Sequence, residues 1–259
     1  MSVNHRRTIQ LVGTVLALSL ALAGCSSAPE HGGPSLPEGH APIATDGSVA
    51  PAEPSDPEKD VVSASRLAVA SGISMAYALG FDKAREITGA DLESLRQPPA
   101  DTLKGVTVDP GTCAEVIEGL NWSPVQQGGE GARSDFINEK ISVTGSVEVA
   151  RIQDRAQLDA HLATARRLLG ECHRLTLDDG SGAIPFSTVA PVVKDGGADS
   201  AILWTRAGEG HPMRQQALVL IKERGDHVAM VSFIAASNLQ KPEFAKIAGQ
   251  VLEAALSQL

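Results

Sequence analysis

The chain has 259 residues, a formal net charge of −9 at pH 7 and only 3% aromatic residues. An acidic chain with no basic runs and few rings for base stacking is not expected to bind nucleic acid. The part after residue 60, about 200 residues, is long enough to bury one sizeable hydrophobic core.

The N-terminus has the layout of a secretory signal, with a charged segment at 5–7 followed by an apolar run at 11–22. A run of about a dozen apolar residues is too short to span a bilayer of roughly 30 Å. The run ends in the sequence LAGC at 22–25, which resembles the bacterial lipobox. That resemblance implies that residues 1–24 are a lipoprotein signal peptide, and that the thiol of Cys25 carries fatty acids such as palmitate.

Acylation at Cys25 predicts a protein anchored to the outer, extracytoplasmic face of the cell membrane, because two or more acyl chains hold a protein there durably. Removing residues 1–24 leaves 20 basic and 31 acidic residues, a net charge of −11. An acidic domain tethered to an anionic membrane surface is repelled by that surface and does not lie flat on it. The contact with the membrane is therefore made through the lipid anchor.

Residues 25–60 are predicted to be a disordered tether that begins at the lipidated cysteine. Seven of the 15 prolines and four glycines lie between 26 and 60, with no aromatic residue. Such a composition cannot bury enough apolar surface to offset its ordering entropy. As a flexible coil it reaches roughly 30–35 Å. The remainder, 61–259, is predicted to form a single domain.

Two amphipathic helices are predicted from apolar residues at helical spacing. The first, at 154–170, has a cap pair in Asp154 and Gln157 and an apolar stripe made of Leu158, Leu162, Ala165 and Leu169. The second, at 242–256, has proline in its first turn and a buried stripe made of Phe244, Ile247, Val251 and Ala255.

The region before these helices is less regular. A strand is predicted at 66–72, and one or two short helices at 82–95, where Thr88 and Asp91 have the spacing of a capping box. A short helix is predicted at 112–120.

Alternating apolar residues predict a series of strands separated by glycine-containing turns. They lie at 141–152, 173–178, 183–193, 201–207, 215–223 and 227–236. Consecutive strands with short connections form an antiparallel meander. We therefore predict an α+β fold in which helices pack on one face of an antiparallel sheet.

Two cysteines, Cys113 and Cys172, remain once Cys25 is assigned to the lipid. An even pair in an exported protein favours a disulfide. The alternative, two free thiols that bind a metal, lacks a CxxC motif or a suitably placed histidine.

A family resemblance follows from these features together. The sequences DPGTCAEVIEGLNWSPV at 109–125 and SVEVARIQDRAQLDAHLATARRLLGECHRLTL at 146–177, after a lipobox and tether, resemble the PknH-like extracellular domain. That domain is the sensor of a receptor serine/threonine kinase and also occurs in actinobacterial lipoproteins. The resemblance implies an α+β domain with a cleft, no known catalytic residues and a ligand-sensing role. The family's usual second cysteine pair is absent, because Gln215 and Gln216 follow Trp204 with no cysteine.

Motifs that carry chemistry are scarce. Ser181 does not fit a nucleophile elbow, because the residue two before it is Asp179 and not glycine, and no kinase glycine-rich or catalytic loop occurs. No calcium-loop spacing relates the turn aspartates Asp178, Asp179, Asp195 and Asp199. No zinc spacing occurs among the histidines, which we place at the surface: His161 on the outer side of its helix, and His173, His211 and His227 in strand starts or loops. Trp122 and Trp204 are interpreted as core residues, with a pocket between them as the alternative.

The sequence therefore predicts a non-enzymatic lipoprotein without cofactor, metal or catalytic residues. Its function is predicted to be binding or sensing a small molecule, a lipid or a cell-wall fragment, in a cleft between sheet and helices. The alternative is a protein–protein interaction module that serves an envelope receptor or transport complex.

Overall fold

The computed structural model describes residues 62–194 and 197–259. The predicted signal peptide, the acylation site Cys25 and the tether at 25–60 lie outside these residues. Val62–Leu259 belong to one compact unit.

In the first half of the described chain, helices and strands are interspersed. In the second half, five consecutive strands lie between two long helices. The helices are α1 Ala64–Ala78, α2 Gly89–Arg96, α3 Ala114–Glu118, α4 Arg155–Gly170 and α5 Pro242–Leu256. Two 3₁₀ turns are Gly111–Cys113 and Pro124–Gln127. The strands are β1 Lys83–Ile87, β2 Thr107–Asp109, β3 Gly131–Asn138, β4 Val143–Arg151, β5 Arg174–Asp178, β6 Ala183–Val189, β7 Ser200–Arg206, β8 Gln215–Arg224 and β9 His227–Ala235.

All nine strands of the described residues join one antiparallel sheet in the order β1-β3-β4-β9-β8-β7-β6-β5-β2. The predicted meander is confirmed from β5 to β9, and the α+β class is confirmed with it. The last strand then pairs with β4, where Val147 lies opposite Val231. Beside that pair, the hydroxyls of Ser146 and Ser232 are hydrogen bonded at 2.8 Å, although they are 86 residues apart in the chain.

The helices cover both faces of the sheet, which corrects the expectation of a single covered face. Successive residues of β9 point to opposite sides, so Val231 packs in the core formed with α1 and α5. Its neighbour Met230 packs instead with Leu158 and Leu162 of α4. Because β8 and β9 are apolar on both sides, each side needs its own covering helices.

The prediction of a strand at 66–72 is wrong, because this segment lies within α1. The Ser63 hydroxyl accepts a hydrogen bond from the amide of Arg66 at 3.3 Å and so caps the helix. Small residues let α1 approach its neighbours closely: a methyl group built on Gly72 would lie 3.1 Å from Val147 and 3.4 Å from Ala255.

Residues 82–95 form a strand and one helix. β1 pairs with β3, a strand that the sequence did not predict, with Ala84 opposite Phe136. Thr88 is the N-cap residue of α2, but its side chain makes no capping hydrogen bond. The expected capping box is therefore wrong, although the helix that follows it is present.

A buried ion pair explains why β3 was not predicted. Arg133 lies opposite Glu148 of β4 and donates to its Oε1 at 2.7 Å. It also donates to Asp135 at 2.8 Å. Glu148 is fully buried and Arg133 is 7% exposed. Charged residues at inward positions break the apolar alternation from which a strand is recognised.

Candidate functional site

A cavity lies between the sheet and the segment that contains α3 and α4. Its floor is formed by inward-facing side chains of β5 to β9, and its walls by α3, the residues that follow α3, and α4. The volume of the cavity is about 90 Å³. Both tryptophans of the chain, Trp122 and Trp204, line it, so we call it the tryptophan cavity.

The strand register places the floor residues side by side. Thr188 of β6 lies opposite Trp204 of β7, and Ile202 of β7 lies opposite Val219 of β8. The Trp204 ring contacts Phe186 with ring centroids 5.4 Å apart. Trp204 is partly buried, whereas Trp122 on the opposite wall is 8% exposed. Trp122 belongs to a buried core cluster with Leu158, as predicted, and both tryptophans also line one pocket, which was the alternative.

His161 forms part of the α4 wall and is buried, with 7% of its surface exposed. Its expected position on the outer side of the helix is therefore wrong. The imidazole stacks on Trp122, and Nδ1 donates a long hydrogen bond of 3.4 Å to the carbonyl of Gly119. Burial lowers the pKa of His161 to about 4, against a smaller raising effect of that carbonyl. The ring is thus neutral at pH 7.

The burial of His161 was not predicted, because the buried face of α4 is wider than the predicted apolar stripe. The buried residues of the helix include His161 and Leu168, while the predicted Leu169 is partly buried. His161 is three residues after the buried Leu158, a spacing that places the two on neighbouring parts of one helix face. That spacing was the available signal.

Two buried polar atoms of the cavity wall have no hydrogen-bond partner among the described residues. They are Nε1 of Trp122 and Oγ1 of Thr188. Both residues line the cavity, and Thr188 is 7% exposed. The sequence could not identify either atom as lacking a partner, because this depends on the three-dimensional surroundings of the atom.

The cavity wall carries no charged side chain in the described part of the chain. Of its fifteen lining residues, none is Asp, Glu, Lys or Arg. The polar groups belong to Asn121, His161, Thr188, Ser200 and the indole N–H of Trp122 and Trp204. The amide of Asn121 is already used, since its Nδ2 donates to Thr102 at 2.7 Å. The arrangement suits an uncharged, mainly apolar group.

The disulfide between Cys113 and Cys172 is present, with Cα atoms 5.8 Å apart. It joins the turn before α3 to the residue after the C-terminal end of α4. Both cysteines are buried in a cluster with Ile117 and Leu168, and these two residues also line the cavity. The bond therefore ties together the two helical walls of the site.

The other candidate residues lie apart from the cavity. Ser181 and Asp179 form a hydrogen-bonded surface turn. His173 is exposed, and His227 contacts Asp226 at 2.7 Å. Asp195 lies outside the described residues. Within 62–194 and 197–259, no group of three or more His, Cys, Asp or Glu side chains is placed to hold a metal. No helix in these ranges is long and apolar enough to cross a membrane.

Comparison with solved structures finds weak similarity. No protein-family model matches the chain, and no curated protein matches it. The crystal structure of the extracellular domain of PknH from Mycobacterium tuberculosis is similar at 12% sequence identity and a TM-score of 0.37, over 71% of this chain and 91% of that chain. Similarity at this level does not establish membership of its family, so the resemblance drawn from the short motifs stays a hypothesis.

Proposed function

We propose that this chain is an exported, lipid-anchored protein that binds or senses an envelope ligand and catalyses no reaction. The ligand places an apolar group in the tryptophan cavity. The observation that carries the proposal is the cavity itself, which is apolar, lies between sheet and helices, and has both tryptophans in its wall. Sites for small molecules have this character: concave, largely apolar and with few polar groups.

The size of the cavity limits what it can enclose. An engineered cavity of about 150 Å³ in another protein holds one benzene molecule, so about 90 Å³ accommodates a narrower group. The fit favours an alkyl chain or a small ring that enters through the opening, while the rest of the ligand stays outside.

The two tryptophans allow a direct test. We would titrate the full chain, carrying Cys25→Ser and purified without detergent, with 8-bromooctan-1-ol, whose bromine quenches indole fluorescence on contact. Because both indoles of the chain line the cavity, binding should give saturable quenching.

A matched pair of valine substitutions locates the binding. Val219→Phe adds bulk to the cavity floor and should abolish the saturable component. Val189→Phe makes the same change on the opposite side of β6, where Val189 is 54% exposed, and should leave quenching unchanged. Quenching that rises linearly with concentration, or equally in both variants, would contradict ligand binding in the cavity.

Membrane anchoring needs its own test, since Cys25 lies outside the described residues. Metabolic labelling with an alkynyl fatty acid should mark the wild-type chain and not Cys25→Ala, and the variant should leave the membrane fraction. Unlabelled wild-type chain would rule out the lipid anchor without affecting the cavity.

The second candidate function is a protein–protein interaction module. It is favoured by the outer surface of α1, where Leu67 and Tyr77 are 49% and 48% exposed. Crosslinking in intact cells would distinguish the two: one stoichiometric protein partner, lost in Leu67→Ser/Tyr77→Ser and retained in Val219→Phe, supports the interaction module.

A further inference from the structure

The two orphan atoms of the tryptophan cavity point to the chemistry of its ligand. Buried polar groups in native proteins are almost always hydrogen bonded to protein or ordered water. Trp122 Nε1 can only donate a hydrogen bond, and the Thr188 hydroxyl can donate or accept. Both atoms are buried without a partner among the described residues, and both residues line the same cavity. A ligand that satisfies them must offer an acceptor, and a hydroxyl or carbonyl oxygen does so.

The rest of the wall argues against a charged ligand group. No lining residue in the described ranges is Asp, Glu, Lys or Arg, so a carboxylate, phosphate or ammonium inside the cavity would be buried without a counter-charge. Such a burial is strongly unfavourable. The histidine of the wall, His161, is buried and stacked on Trp122. Its ring is neutral at pH 7 and supplies no counter-charge.

We propose that the tryptophan cavity selects an uncharged amphiphile, a narrow hydrocarbon group that carries a hydroxyl or carbonyl oxygen bound by Trp122 Nε1 and the Thr188 hydroxyl. This inference rests on the proposed ligand-binding function. A neutral lipid and a small hydrophobic alcohol share this chemistry.

The test compares four probes by isothermal titration calorimetry with the full chain carrying Cys25→Ser. Octan-1-ol and octan-2-one supply the oxygen, and octanoate and octylammonium supply the same chain length with a charge. At pH 7.5 the two neutral probes should bind at least about ten-fold more tightly than the two charged ones. Hexane, a narrow alkyl chain without oxygen, is the fifth probe and serves as the apolar reference.

Two variants separate oxygen recognition from packing. Thr188→Val and Trp122→Phe each remove one polar group. Each should weaken the binding of octan-1-ol about 2- to 10-fold relative to that of hexane, the range that one hydrogen bond contributes. The matched control is Thr176→Val in β5. Thr176 lies between the inward-facing Leu175 and Leu177 and points to the other side of the sheet, so this change should leave the ratio unaltered.

The outcomes distinguish the inference from the function on which it rests. If octanoate or octylammonium binds as tightly as octan-1-ol, or if the ratio of octan-1-ol affinity to hexane affinity is the same in all variants, selection for a neutral oxygen is wrong and ligand binding stands. If none of the five probes binds, the proposed function is wrong and the inference is wrong with it.

Discussion

The indole of Trp122 stacks on the imidazole of His161, with ring centroids 4.6 Å apart and planes inclined by 27°. The contact joins the segment that follows α3 to the middle of α4. It also buries a titratable ring against an aromatic surface, which makes this wall of the cavity sensitive to protonation.

Acid should destabilise the protein through His161. Burial lowers its pKa to about 4 in the folded state, from the ordinary histidine value of 6.5, so between these values the unfolded chain binds the additional proton. Stability from this group is therefore complete above about pH 6.5 and is lost as the pH falls towards 4, with a loss on the order of 3 kcal/mol. Urea unfolding at pH 7.5, 5.5 and 4.5 would measure it.

The variant His161→Phe keeps a ring against Trp122 and removes the titration. Its stability should fall less steeply with acid than that of the wild type. The exposed His173 provides the control, since His173→Phe should keep the wild-type slope. Equal slopes in wild type and His161→Phe would contradict the assignment.

The disulfide should contribute substantially to stability. Cys113 and Cys172 are separated by 59 residues, and closing a loop of this length lowers the entropy of the unfolded chain by an amount worth about 4 kcal/mol. The variant Cys113→Ala/Cys172→Ala should lose up to this free energy of unfolding in urea. It should also bind octan-1-ol more weakly, because the bond ties the two helical walls together. Unchanged stability would show that packing alone holds α3 against α4.

Breaking the buried pair between Arg133 and Glu148 should cost far more than breaking an exposed pair. Glu148→Leu leaves Arg133 buried with Asp135 as its remaining partner, and the expected loss is about 3 kcal/mol. The control is Glu139→Leu, whose carboxylate pairs with Lys83 at 2.6 Å while both side chains are 60% exposed; its expected cost is below about 1 kcal/mol. The double variant Arg133→Met/Glu148→Leu should recover most of the loss. Similar costs for the two single variants would refute the argument.

Two glycines should respond to alanine in opposite directions. A methyl group on Gly145 would lie 2.9 Å from the carbonyl oxygen of Ser232 and 2.5 Å from Cε2 of Phe136. Phe136 is held between Phe81 and Phe233, so Gly145→Ala should destabilise by about 1–3 kcal/mol.

Gly249 lies within α5 and has nothing within 4 Å of an added methyl group. Gly249→Ala should therefore stabilise by about 0.5–1 kcal/mol, since alanine loses less backbone entropy in a helix. Thermal unfolding of both variants decides the matter; a destabilised Gly249→Ala would show that the helix face is less open than described.

The sequence predicted the elements whose pattern follows local rules. The strands from β5 to β9 are rich in apolar residues and separated by glycine-containing turns. α4 begins at the capping residue Asp154, α5 has proline in its first turn, and both helices have apolar residues at helical spacing. The segments that failed depend on distant partners. Residues 66–72 are mostly small or apolar, a composition that also suits a strand, and they become helical because α5 and Val147 accept a closely packed helix. β3 carries Arg133 inward, which is tolerable only beside Glu148.

The candidate site was predictable only in part. A cleft between sheet and helices was expected, and Trp122 and Trp204 were considered as its lining. The burial of His161 and the orphan atoms of Trp122 and Thr188 were not predicted, because each arises where α3, α4 and the sheet meet. Residues from such separate segments meet only after the fold has formed.

The pairing of β4 with β9 has a consequence for how the chain folds. Ser146 and Ser232 join across 86 residues, and contacts between such distant segments slow folding because a long loop must close first. The centre of the sheet therefore cannot assemble until residues 227–235 are available. Until then the edge of β4 that pairs with β9 stays open, and chaperones or proteases have access to it.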